Sequence, residues 1–177
     1  ALTLDKGKTT ALQATVAPAN AANKAVTWTT SNSKVATVDA NGTVKAQAKE
    51  TFVIQNKYRA EKGVKALTWS DKLYRFALYR LKHSGYDGHK NLQRDMQDYF
   101  GDMLVSNNIS LGENMASGQT SAKEVMLSWK HSSGHYRNLL NKDYQCGAIA
   151  RYKDTWCAVF YDGSPENLSK QKQDVAD

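Results

Sequence analysis

The sequence predicts an α+β domain, helices on a small antiparallel sheet, preceded by a short all-β sandwich segment. Three observations carry this. Apolar residues alternate with period two in short runs through residues 1–49, recur at helical spacing from residue 50, and return to strand-like runs over 147–161. The 177 residues suit one ordinary domain or two small ones.

The first segment is rich in Ala, Thr, Val, Asn and Lys, with no Cys, Met or His and Trp28 as its one aromatic residue. Its alternating runs are Leu2 and Leu4; Leu12, Ala14 and Val16; Val26, Trp28 and Thr30; Val35, Ala36 and Val38; Val44 and Ala46. Turn-prone stretches at 5–8, 18–23 and 31–33 separate them. Short strands at this spacing predict a sandwich. Asn41-Gly42 marks a hairpin, because both residues tolerate the positive φ of a type I′ turn.

From Glu50 the pattern is helical. Phe52, Val53, Tyr58 and Ala60 fall in a segment closed by Gly63. Ser70 before Asp71 predicts an N-cap with a carboxylate in the positive first turn. Leu73, Phe76, Ala77, Arg80 and Leu81 then form one buried stripe. A third helix is expected from Asn91 to about Phe100, and a fourth from near Ser121, burying Ala122, Val125, Met126 and Trp129. Residues 147–150 and 156–161 read as two strands around a turn at 151–154. The division is therefore 1–49, 50–163 and a polar tail at 164–177.

Lys and Arg number 24 and Asp and Glu 17, a formal charge of +7. The excess is spread along the chain with no block of like charge, so the pattern is that of a solvated basic surface. Phosphate binding needs clustered cations, and no nucleic-acid partner is expected. The longest apolar runs are a few residues, as at 52–54, against roughly 20 for a membrane span, and no transmembrane segment is expected. The sequence opens at Ala1 without an initiator Met or an apolar leader; any targeting signal is expected to have been removed.

Four polar residues stand out: His89, Glu113, Glu124 and His135. No local motif joins them, and each also has a structural reading. His89 reads as a loop residue, Glu113 as a turn carboxylate, and His135 as part of a cap on the next short helix. Glu124 completes Ser121-x-x-Glu124, a capping box.

Two families are visible in longer words of the sequence. Leu4-Asp5-Lys6-Gly7, Val26-Thr27-Trp28 followed by Thr30-Ser31-Asn32, Val35-Ala36-Thr37-Val38-Asp39 and Asn41-Gly42-x-Val44 resemble a bacterial Ig-like domain of group 2. Such modules act as stalks or spacers on secreted and surface proteins. The resemblance breaks off after Lys49, where the family continues with about two more strands. Three explanations stand: strands omitted from this sequence, an edge lent by the helical domain, or strand exchange with a second chain.

Asn56-Lys57-Tyr58-Arg59, Gly85-Tyr86-x-x-His89, Leu111-Gly112-Glu113-Asn114, Val125-x-x-x-Trp129 and Ser132-x-Gly134-His135-x-x-Asn138-Leu139-Leu140 resemble the CAP superfamily, also called the SCP domain, which includes cysteine-rich secretory proteins, antigen 5 and plant pathogenesis-related proteins. The resemblance implies a three-layer α-β-α sandwich with a cleft of two His and two Glu, carried over as His89, Glu113, Glu124 and His135. His83 is a rival for His89, because the interval from Trp69 is short; Gly85-Tyr86 favours His89. Where many members have Gly-His-Arg, this chain has His135-Tyr136-Arg137.

Two imidazoles suit a divalent metal such as zinc, with a carboxylate as further ligand or holder of the bound water. The resemblance thus implies a secreted or cell-surface binding module whose cleft takes a divalent metal and a small or lipid-like ligand, or a cell-surface polymer. The competing reading is a metal-assisted hydrolase of peptides or esters, with Glu113, Glu124 and His135 as its catalytic residues. Ser132 and Ser133 lack the context of a nucleophile elbow.

Cys146 and Cys157 form one bridge or remain two free thiols. The Ig-like neighbour points to an oxidising compartment. A turn centred between Arg151 and Tyr152 sets the two cysteines opposite each other, and a disulfide is expected.

Overall fold

The computed structural model describes residues 46–101 and 110–168. The strands and the Asn41-Gly42 hairpin expected in residues 1–45 lie outside the described residues, as does the tail from 169.

The chain enters through α1 (Ala46–Glu61), followed by β1 (Thr68–Trp69), α2 (Asp71–His83) and α3 (Leu92–Phe100). Next come β2 (Leu111–Ser117), α4 (Ala122–His131) and α5 (Ser133–Leu140). The hairpin β3 (Cys146–Tyr152) and β4 (Thr155–Tyr161) and a last turn, α6 (Pro165–Leu168), close the domain. The four strands form one sheet in the order β1-β3-β4-β2. β1 runs parallel to β3, and the other pairings are antiparallel.

Both faces of the sheet are covered. On one side Leu73, Phe76, Ala77 and Leu81 of α2, with Met96 and Phe100 of α3, pack on Met115, Ala148, Cys157 and Val159. On the other, Phe52 of α1, Val125, Met126 and Trp129 of α4 and Leu139 of α5 pack on Ala116, Ile149, Trp156, Ala158 and Phe160. β4 therefore reads as an unbroken apolar run, because its alternate residues face two buried layers. This is the expected α-β-α sandwich.

The expected caps form. Ser70 Oγ accepts the Leu73 amide at 3.3 Å, and Ser121 Oγ accepts the Glu124 amide at 3.3 Å. Gly63, with φ +65, donates its amide to the Ala60 carbonyl and ends α1.

Four expectations are corrected. The helical pattern begins at Ala46, ahead of Glu50, so Ala46 is helical. Ala48 and Phe52, one on each side of the 49–50 boundary, are both buried four residues apart, so one helical stripe crosses it without a break. The helix thus runs through the 49–50 boundary at which the Ig-like pattern breaks off. Val53, read as part of the apolar pattern, is 55% exposed. Glu113 lies in a seven-residue strand, not a turn, where it pairs with Val159.

The fourth correction is the disulfide. The hairpin turns at Lys153-Asp154, with Tyr152 opposite Thr155 and Lys153 at φ +56. Cys157 thus faces Ala150, and Cys146 faces Tyr161. The two cysteines share a sheet face but stand four residues apart along the strands, about 13 Å at 3.3 Å per residue. A bridge needs α-carbons within about 7 Å, and both thiols are free.

Candidate functional site

The site is assembled at the open end of β2, where α2, the turn after it, and α5 converge. α2 delivers Arg80 into the interior because position 80 lies on the buried stripe with Leu73, Phe76, Ala77 and Leu81. A buried guanidinium needs partners on every side. Arg80 has three carboxylates. Its Nε donates to Glu113 Oε1 at 2.8 Å and its Nη2 to Glu113 Oε2 at 3.0 Å. Nη1 donates to Asp95 Oδ2 at 2.7 Å, and Asp87 accepts from Nη1 and Nη2 at 3.2 and 3.1 Å.

These contacts fix the protonation states around the cluster. Burial alone pushes the Arg80 guanidinium down, but the hydrogen bonds to Glu113, Asp87 and Asp95 hold it well above its ordinary value. Burial tends to raise Asp87, and the bonds from Arg80 and the Asn91 amide outweigh it, leaving Asp87 at about 2. Burial likewise acts against Asp95, and bonds from Ser84, Arg80 and Arg94 bring it below the usual carboxylate range.

Glu113 stands between Arg80 and the first histidine. Its Oε2 accepts His89 Nδ1–H at 2.7 Å, and its Oε1 also accepts the Cys157 thiol at 3.4 Å. Both oxygens are thus engaged. Beyond it the His89 side chain is 43% exposed. The His89 and His135 rings stand with centroids 6.3 Å apart, close to edge-on. Burial and the nearby His89 ring push the His135 imidazole below its ordinary value.

His135 is carried by the first turn of α5. Asn114 Nδ2 donates to the His135 carbonyl at 3.0 Å, and Asn138 Nδ2 donates to the Glu113 carbonyl at 3.1 Å and to Asn114 Oδ1 at 3.0 Å. The Gly-Glu-Asn stretch of β2 is thereby tied to the His-containing helix. Among the described residues neither Nε2 of His89 nor a ring nitrogen of His135 takes a hydrogen-bond partner.

Of the four residues expected to share a cleft, the structure brings together His89, Glu113 and His135. Glu124 is elsewhere. It sits in the first turn of α4, past the Ser117 end of β2, and its Oε2 accepts the Thr120 amide at 2.7 Å and the Thr120 hydroxyl at 2.9 Å. Those bonds lower its carboxyl, and its role is the cap. His83 is not in the cleft either. It stacks on Tyr79, centroids 3.9 Å apart, and its Nδ1–H donates to the Tyr79 carbonyl at 2.9 Å. Ser132 is the N-cap residue of α5.

The residues the sequence reading did not single out are Arg80 as a partner, Asp87 and Asp95; Asn138 enters it only as part of a longer word. Arg80 carried a signal, being a charged residue within an apolar stripe.

Among the described residues no group of three or more His, Cys, Asp and Glu side chains is placed to hold a metal ion. Two of the four expected ligands suit one, since rings at this spacing can share an ion bound about 2.0–2.1 Å from each nitrogen. The carboxylates do not: Glu113 stands behind His89, as an orienting partner does, and Glu124 is absent from the cleft. The buried cysteines are no nucleophiles. Burial pushes the Cys146 thiol up to about 12, and burial and then Glu113 raise Cys157 well above its usual range.

Residues 54–161 match the model of the cysteine-rich secretory protein family (CAP), and residues 1–55 match that of the bacterial Ig-like domain (group 2). The chain is 31% identical over 114 residues to the uncharacterised protein YkwD of Bacillus subtilis (strain 168), covering 61% of this chain and 43% of that protein. A cysteine-rich secretory protein of Staphylococcus aureus subsp. aureus Mu50 superposes with a TM-score of 0.56 at 20% identity, over 66% of this chain and 39% of the other. An outer surface protein of Borrelia burgdorferi superposes with a TM-score of 0.51 at 20% identity, over 64% of this chain and 90% of the other. The match spans less than half the length of the Bacillus and Staphylococcus proteins.

Proposed function

Because the chain belongs to the cysteine-rich secretory protein (CAP) family, we propose that it is a secreted or cell-surface binding module whose cleft holds a divalent cation between His89 and His135. The observation that carries this is the pair of rings 6.3 Å apart, one oriented by a buried carboxylate and both with ring nitrogens left for a ligand. His89 binds through Nε2, since Nδ1 is committed to Glu113. His135 supplies the second nitrogen, and burial and the nearby His89 ring lower its pKa, so the neutral, ligating form is present at neutral pH. The cation, zinc for example, would act as a Lewis acid toward an oxygen of a small or lipid-like ligand.

Export is supported by the Ig-like match and by the Borrelia outer surface protein among the structural neighbours. No helix of the described residues is long and apolar enough to cross a membrane. The Ig-like segment serves as a spacer in this reading.

Titration calorimetry with Zn²⁺ tests the site. One equivalent should bind, and His89→Ala or His135→Ala should abolish it; undiminished binding in the double variant would sink the proposal. Hydrolysis is the weaker reading, because both Glu113 oxygens are engaged and neither is left as a base. Turnover of a fluorogenic peptide or a nitrophenyl ester, lost on chelation and in the double variant, would reverse that order.

A further inference from the structure

We propose that Arg80 is the positioning residue of the cleft, holding His89 by two separate routes. The inference rests on reading the cleft as a binding site. One route is through the side chain: Arg80 pairs with both oxygens of Glu113, and Glu113 Oε2 accepts His89 Nδ1–H. The other is through the backbone: Arg80 pairs with both oxygens of Asp87, whose Oδ1 accepts the His89 amide at 3.1 Å and whose Oδ2 accepts the Asn91 amide at 3.0 Å.

The backbone route has work to do. Among the described residues His89 is one of two non-glycine residues with positive φ, at +72, in the left-handed region that a non-glycine residue occupies at a cost. Such a conformation persists only where the surroundings over-determine it. Here the Asp87 carboxylate wraps the turn from both sides of His89, and Arg80 anchors that carboxylate. Asp95 and Ser84 complete the cradle: Asp95 Oδ2 accepts from Arg80 and from the Ser84 hydroxyl at 2.6 Å.

Stability alone does not account for this arrangement, since a buried ion pair is commonly replaceable by apolar residues of similar volume. What an apolar pair cannot do is deliver two carboxylates to one residue, one to its amide and one to its ring. A lysine cannot either, because its point-like ammonium lacks the planar fork that addresses two carboxylates at once. Arg80 therefore sets both which nitrogen of His89 carries the proton and where the other points.

The test is ¹⁵N NMR of histidine-labelled protein above neutral pH, which reads the tautomer of each ring directly and needs no metal. In the wild type His89 should be protonated on Nδ1. In Arg80→Lys that tautomer should give way to a mixture, and Zn²⁺ affinity should fall about tenfold or more, the range for outer partners of metal ligands. His83, whose Nδ1–H is held by the Tyr79 carbonyl, is the internal control for an intact fold. Should the His83 signal move as well, Asp87→Asn decides: it weakens the backbone route alone, and faster amide exchange at His89 and Asn91 is expected while Glu113 keeps the Nδ1–H tautomer. A His89 tautomer unchanged in an Arg80→Lys protein that keeps its His83 signal, or His89 and Asn91 amide exchange unchanged in Asp87→Asn, overturns the proposal. A changed tautomer in a protein that never bound Zn²⁺ leaves Arg80 as the positioning residue and removes the cation reading.

Discussion

The Tyr144 ring fills the space that a side chain at Gly112 would need: an added methyl group there would lie 2.7 Å from Tyr144 Cζ and closer still to its hydroxyl. The ring cannot withdraw freely, since it stacks on Phe160 with centroids 5.3 Å apart and planes at 16°. Gly112 precedes Glu113 in β2, so this contact fixes the strand that carries the site. Gly112→Ala should cost about 1–3 kcal/mol, the usual penalty of overpacking. Urea unfolding measures it, and the cost should shrink in a Tyr144→Ala background, because the two positions share one volume.

The hairpin register predicts the thiol chemistry. Without reductant, unfolded protein should show two reactive thiols. Native protein at pH 8 should react slowly at both, since burial pushes the Cys146 thiol up to about 12 and burial, with Glu113, raises Cys157 well above its ordinary value. No reactive thiol after unfolding would mean a bridge and a different register.

Glu124→Gln separates the cap from the cleft. The variant should lose some stability, because Glu124 Oε2 satisfies the Thr120 amide and hydroxyl, while Zn²⁺ affinity stays at the wild-type value. Thermal unfolding and calorimetry on the same preparation check both halves.

The carboxylates on Arg80 give the fold an acid limit. Asp87 is lowered from 3.8 to about 2 and Asp95 is lowered too, with Arg80 among the causes in both. A carboxyl depressed on folding contributes stability that is full above its unfolded pKa and is lost as pH falls through the folded one. Stability should therefore decline between about pH 4 and about pH 2. Urea midpoints across that window should fall in the wild type and fall less in Asp87→Asn, which has already given up one of these groups.

Much of the fold was legible because its signals are local. The caps at Ser70 and Ser121 and the stripe through Leu73, Phe76 and Leu81 depend on neighbours within one or two turns. The β3–β4 register was not, since the turn falls on Lys153-Asp154 and Lys153 takes a positive φ that nothing in its residue type announces. A shift of two residues in the turn moved Cys157 from Cys146 to Ala150. The site was legible in part. His89, Glu113 and His135 stood in recognisable words, but Glu124 had two readings, and the local one, the cap, is what the structure shows. Arg80 meets Glu113 across 33 positions, a pairing that only the packing of α2 on the sheet creates.

α1 is pinned along its length. Gln47 meets Arg151 of β3, Lys49 covers the Trp69 ring at 3.6 Å, and Arg59 donates to the carbonyls of Lys65, Leu139 and Asn141. Mechanically, this helix is a strut. Force applied at Ala46 would load the helix along its axis, against β3 near its start and α5 near its end. Tension entering through this helix would be borne by the sheet it is fastened to.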